Sequence, residues 1–322
     1  MSTWREACQS IRPSTMVIPS RNCMLGPFEF EGPCKAAITI RAEGTLRAPS
    51  SLKPFNSQDG WIAFKNTDRL TVLGGGTFDG QGRIAWKNNN CAKTGSCDLP
   101  TVLILHGKSL QVLISNYNYL IKTYRDFCFL KQNMQLTGIT NGLLHDITSL
   151  DSKMFHINIQ NCQNIDLKNI TIDASIMSLN TDGIHIGRSR RVNITEVDIN
   201  TGDDCISLGD GSQHINIENV TCGLGHGISV GSLGKYRGEQ PVVGITVRNC
   251  TLTNTTNGVR VKTWPNSYKG IAHGLHFEDI IMNNVSNPII IGQNYCPSNL
   301  CKSSVSTLFL FRFVHLSCQL GH

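Results

Sequence analysis

Short alternations of apolar and polar residues recur along this chain, each broken near its middle by Asn, Asp or Glu. Residues 143–150 (LLHDITSL), 165–172 (IDLKNITI), 192–199, 215–222, 245–252 and 275–282 begin 22, 27, 23, 30 and 30 residues apart. Period-two alternation is the mark of a half-buried strand, whereas helical faces repeat at about 3.6 residues. A break in mid-run predicts two strands meeting at a bend. Leucine-rich horseshoes have similar periods, but the L-x-x-L-x-L consensus is absent. The pattern therefore predicts a parallel β-helix, in which one rung cannot bury its own apolar face but stacked rungs bury a continuous core.

A second repeat runs between the first. Residues 183–187 (GIHIG), 205–209 (CISLG), 227–231 (GISVG) and 258–262 (GVRVK) align without gaps, and 289–292 (IIIG) follows in register. Alternation sends Ile184, Ile206, Ile228 and Val259 inward and His185, Ser207, Ser229 and Arg260 outward. Asp182, Asp204 and His226 each immediately precede one of these strands, at intervals of 22 and 22 residues. Equivalent positions on successive rungs stack ~4.8 Å apart. Three residues distant in sequence thus form one column, with Asp203 beside Asp204 and with Arg260 and Lys262 on the next rung.

Composition adjusts this picture only slightly. Charge is sparse at 16% and the net charge is +6, but no Lys/Arg run is interleaved with aromatics, so nucleic-acid binding is not expected. No apolar stretch reaches the ~18 residues of a membrane span. Thirteen cysteines fit no common zinc spacing and point to disulfides and an oxidising compartment, with Cys91/Cys97 and Cys296/Cys301 close enough to staple loops. The odd count leaves at least one thiol over. Six Asn-x-Ser/Thr sequons occur, at Asn169, Asn193, Asn219, Asn249, Asn254 and Asn284.

An Asp-Asp pair at a strand edge ordinarily makes turn hydrogen bonds. Its stacking with Asp182 and His226 points instead to chemistry. Breaking a glycosidic bond takes one carboxylic acid to protonate the leaving oxygen and a second carboxylate as nucleophile or water activator. Repulsion among Asp182, Asp203 and Asp204 is expected to raise the pKa of at least one, keeping it protonated to act as the acid. Arg260 and Lys262 suit an acidic sugar, since Arg grips a carboxylate bidentately and Lys adds a second positive charge. The glycines around His226, in Gly225-His-Gly227, are expected to admit close approach of backbone and ligand.

Asn180-Thr-Asp182, Gly202-Asp-Asp204, Gly225-His-Gly227 and Arg260-Val-Lys262, in this order, resemble the four signature motifs of polygalacturonases, glycoside hydrolase family 28. The surrounding text, including residues 147–153 and 231–234, is most similar to the pollen-type exopolygalacturonases of plants. The resemblance covers residues 4–99 and 136–301. It implies an all-β, single-stranded right-handed parallel β-helix: a secreted, monomeric, cell-wall enzyme without cofactor or metal. Such an enzyme hydrolyses the α-1,4 bonds of polygalacturonate with inversion, exo rather than endo. By the same resemblance Asp203 is the general acid, Asp182 and Asp204 activate water, and His226 supports the acid. Arg260, Lys262, Tyr295 and Asn180 bind the substrate, and Cys205 pairs with Cys222.

Three departures from the family pattern stand out. Gly292 occupies a position that is usually Asp, which bears on the geometry near Tyr295. Residues 101–135 match nothing in the family and are read as a non-family insertion. After Cys301 the family pattern stops. The expected organisation is a catalytic β-helix domain over 1–302, truncated at both ends, and an aberrant tail over 303–322. The N-terminal MSTWREACQS has no apolar core of a signal peptide, which is attributed to a missing N-terminal segment. Two other readings compete: an inactive truncated relative that at most binds pectin, and a pectate lyase using calcium and an Arg base. The GHG and RVK elements speak against the lyase.

Overall fold

Left-handed residues in the middle of each long repeat make the predicted bends. Asp146, Asn169, Glu196, Asn219, Asn249 and Asp279 all have φ between 51° and 56°. Asn and Asp tolerate this region because their short polar side chains bond locally. The bend lets one run bury alternate residues on both of its arms: Ile165 and Leu167 before Asn169, Ile170 and Ile172 after it. The structure, a computed structural model, describes residues 2–51, 60–87, 132–297, 301 and 309–320.

Bent strands such as Thr140–Leu150, Gln163–Asp173, Arg190–Asn200, Gln213–Gly223 and Gly270–Asn283 stack in a 14-stranded sheet. Between them the chain crosses to a second, nine-stranded sheet made of Phe28–Glu31, Gly60–Lys65, Gln132–Thr137, Ile157–Gln160, Ile184–Gly187, Ile206–Leu208, Ile228–Leu233, Asn257–Thr263 and Asn287–Gly292. The pairings between neighbouring rungs are parallel, as in Ile184↔Ile206↔Ile228↔Val259. That column is fully buried, as the second repeat predicts. Two short helices complete the described elements. One of them, Ser2–Gln9, lays Trp4 against Phe30 (ring centroids 4.9 Å apart) and is tied down by the Cys8–Cys34 disulfide. It covers the first rungs, which would otherwise expose core.

Cys205–Cys222 and Cys296–Cys301 also pair, while Cys91 and Cys97 lie outside the described residues. Two boundaries read from the sequence shift. Residues 132–135, assigned to the insertion, lie in strand Gln132–Thr137, which pairs with Gly60–Lys65 and Ile157–Gln160 and buries Met134 in the core. The rest of 101–131 lies outside the described residues. Within the tail, Phe309–Leu320 stacks parallel on Gly270–Asn283. Ile289 and Ile291 continue the inward register yet are 44% and 49% exposed.

Candidate active site

The outer face of the nine-stranded sheet carries the acidic column. Ile184, Ile206 and Ile228 are in register, so Asp182, Asp204 and His226 stack on consecutive rungs. The backbone ties them together: Gly183 N donates to Asp204 O (2.9 Å) and His226 N to Asp203 O (2.9 Å). The two glycines around His226 have another task than admitting ligand. Both have positive φ, and a Cβ on Gly225 would overlap the Asp203 carbonyl, one on Gly227 the carbonyls of Asn257 and Gly258. They let neighbouring rungs close up beside the histidine.

Asp204 is buried and fully engaged. Lys262 Nζ reaches its Oδ2 at 2.7 Å, Arg260 Nη2 its Oδ1 at 2.7 Å, and Ser229 Oγ donates to Oδ1 at 2.8 Å. Burial disfavours its charge, but Lys262 and Arg260 outweigh burial and hold the carboxyl below its ordinary value. Lys262 is buried too, and Asp204 more than compensates, so its ammonium is held above the usual lysine range. Asp182 is the opposite case. Burial first, then the charges of Asp203 and Asp204, push its carboxyl well above the usual range, with Ser207 and Lys262 pulling the other way. The carboxyl that is raised is Asp182, with burial ahead of repulsion as the cause, and the resemblance gives that residue the part of water activator and not of acid. Asp203 is the carboxylate nearer solvent; His226 Nδ1 lies 3.0 Å from its Oδ1.

Tyr295 closes the far side. Its N–H donates to Thr263 O (2.9 Å), and its ring lies 5.0 Å from Lys262 Nζ and 5.9 Å from Arg260 Cζ. A Cβ at Gly292 would meet only Ile290 Cγ2, at 3.8 Å, so the position has room for a side chain. Asn180 sits in a left-handed turn (φ 58°), half-buried, two residues before Asp182. Just after it, Thr181 Oγ1 bonds Thr201 Oγ1 at 2.9 Å, locking that turn to the next rung. All eight residues picked from the sequence therefore lie on adjacent rungs of one sheet end. Alternation placed Ser207, Ser229 and His185 on this face without revealing partners. Ser207 Oγ donates to Asp182 Oδ2 (2.5 Å), and His185 Nδ1 lies 2.7 Å from Ser207 Oγ.

Asp203, Asp204 and His226 offer donor atoms within 4.8 Å of one another. A cation there would have to compete with Lys262 and Arg260, which already pair with both oxygens of Asp204. A hollow on the other sheet, lined by Asp166, Lys168, Asn193, Glu218 and Arg248 among others, is shaped by exposed ladder pairs such as Arg248–Glu218 (3.1 Å). Its carboxylates lack the buried, unequal environments of the acidic column.

The family described as Glycosyl hydrolases family 28 matches residues 8–140 and 123–311. An exopolygalacturonase of Oenothera organensis is 48% identical over 304 residues, covering 94% of this chain and 76% of that protein. An exopolygalacturonase of Arabidopsis thaliana is also 48% identical, covering 94% of this chain and 62% of its own length. Among solved structures, a polygalacturonase from Erwinia carotovora superposes with a TM-score of 0.69 at 22% identity, covering 91% of this chain and 77% of that one. That likeness gives the fold a right-handed parallel β-helix.

Proposed function

The chain belongs to glycosyl hydrolases family 28, and from that premise we propose that it hydrolyses the α-1,4-galacturonosyl bonds of polygalacturonate with inversion, acting from chain ends. The carrying observation is the unequal treatment of three clustered carboxylates: Asp204 ion-paired and buried, Asp182 buried with a raised pKa, Asp203 accessible beside His226. Asp203 gives its proton to the glycosidic oxygen as the bond to the anomeric carbon breaks. A water on the opposite face, deprotonated by Asp182 and Asp204, forms the new bond there. His226 orients Asp203. The reactive form holds its one acidic proton on Asp203 with Asp182 ionised, so the low-pH limb of the rate, where Asp182 stays protonated, belongs to Asp182. Arg260, Lys262 and Tyr295 receive the galacturonate carboxylate, with Asn180 lining the same end.

The disulfides among the described residues and family membership support a secreted cell-wall enzyme, and we take it to work as a monomer. No helix among the described residues is long and apolar enough to cross a membrane. Incubating the protein with polygalacturonate and identifying the products tests the reading. Monogalacturonate alone is expected, and Asp203→Asn should remove most of the activity while leaving the melting curve in place. Mixed oligomers would overturn the exo assignment; unsaturated products would overturn hydrolysis.

A further inference from the structure

Four outward residues of the nine-stranded sheet form a column next to the acids: His185↔Ser207↔Ser229↔Arg260. Each serine has one hydroxyl proton to give. Ser229 Oγ gives its proton to Asp204 Oδ1 (2.8 Å) and accepts from Arg260 Nε (3.1 Å), which can only donate. One rung back the pattern repeats. Ser207 Oγ lies 2.5 Å from Asp182 Oδ2 and 2.7 Å from His185 Nδ1. Once Asp182 ionises its carboxylate only accepts: the Ser207 proton then goes to Oδ2, and His185 carries its own proton on Nδ1. Phe155 fixes the plane of that imidazole, stacked on it at 4.9 Å.

We propose that Ser207, oriented by His185, is a positioning residue that favours the charged form of Asp182, as Ser229 under Arg260 does for Asp204. The two relays differ in their last member. Arg260 is permanently charged, whereas burial pushes the His185 imidazole down to about 4, so it stays neutral at ordinary pH. Lys262 and Arg260 hold the Asp204 carboxyl below its ordinary value against burial, whereas burial holds Asp182 above it and Ser207 opposes that rise. The charged groups that face Asp182 are Asp203 and Asp204, which oppose its ionisation, and Lys262, which favours it. Those felt by His185 are Asp204, Lys262 and Asp210. The Ser207 hydroxyl is the neutral donor acting directly on Asp182.

The proposal rests on the hydrolytic reading only for the task given to Asp182; the titration itself is independent of activity. The test is a pH titration of the folded chain labelled with 13C at aspartate carboxyls, the Asp182 signal assigned with Asp182→Asn. Ser207→Ala should raise the Asp182 midpoint by about one pH unit, the scale of a lost hydrogen bond to a charged group. Ser207→Thr, which keeps the hydroxyl, should restore it. His185→Phe keeps a ring against Phe155 and should shift the midpoint the same way by less; it carries the test if Ser207→Ala does not fold. An unmoved or lowered midpoint, or an equal shift in Ser207→Thr, overturns the relay. The low-pH limb of kcat/KM on polygalacturonate should move upward with the midpoint. A chain showing these midpoints while releasing no product would overturn the hydrolytic reading alone.

Discussion

The opposed states of Asp182 and Asp204 give this site its signature. Asp182 has a raised pKa in the folded chain, mainly from burial. Folding therefore favours its neutral form; that stability is complete below the ordinary carboxylate value and is lost as pH rises through the raised value. Asp182→Asn removes the buried charge at similar shape. It should raise the melting temperature at neutral pH, with the gain shrinking to nothing near pH 3, as a calorimetric pH series would show. Lys262 gives a second prediction. Its ammonium has three donors, of which Asp204 takes at least one, leaving others for a sugar carboxylate. Methyl-esterified pectin should be a poor substrate. Lys262→Met should cut kcat/KM on polygalacturonate roughly ten- to hundredfold, the scale of a charged hydrogen bond, and narrow the gap between the two substrates. Equal rates on both substrates in the unaltered protein would remove Lys262 from recognition.

Strands hold these residues in place, and the register of the strands was legible in the sequence because two periodicities coincide. The inward isoleucines fix which residues face out, and the Asn, Asp and Glu breaks fix the bends. Relays were not legible, because an outward Ser on a strand reads the same whether it meets water or a buried carboxylate. Nor was the Cys8–Cys34 pairing, since spacing alone does not choose among thirteen cysteines. Strand Gln132–Thr137 escaped notice for a similar reason. It has only Met134 and Leu136 to set its phase, and polar Asn133 is also buried, donating to Phe78 O (2.9 Å) and Ser149 Oγ (3.0 Å). The Cys205–Cys222 disulfide braces the rung beside Asp204 across 17 residues. Cys222→Ser should cost about 3 kcal/mol, read by urea unfolding of both proteins without reductant.

At the scale of the whole molecule, the core is one continuous stack from Trp4 to Phe309. We propose that residues 101–131 do not contribute to it, and the rung that follows sets the test. Deleting 101–131 should raise soluble yield and leave the melting transition cooperative. Extending the deletion through Gln135 should destroy it, because Asn133 and Met134 go with it. Loss of folding in the shorter deletion would show that the segment belongs to the working fold. In the proposed reaction one acidic column on one sheet performs a single displacement by water. Proton NMR of the first product released from polygalacturonate tests it most directly. Attack by water opposite the leaving group yields the β-anomer first, with the α-anomer appearing only as the sugar equilibrates. Initial release of the α-anomer would contradict it.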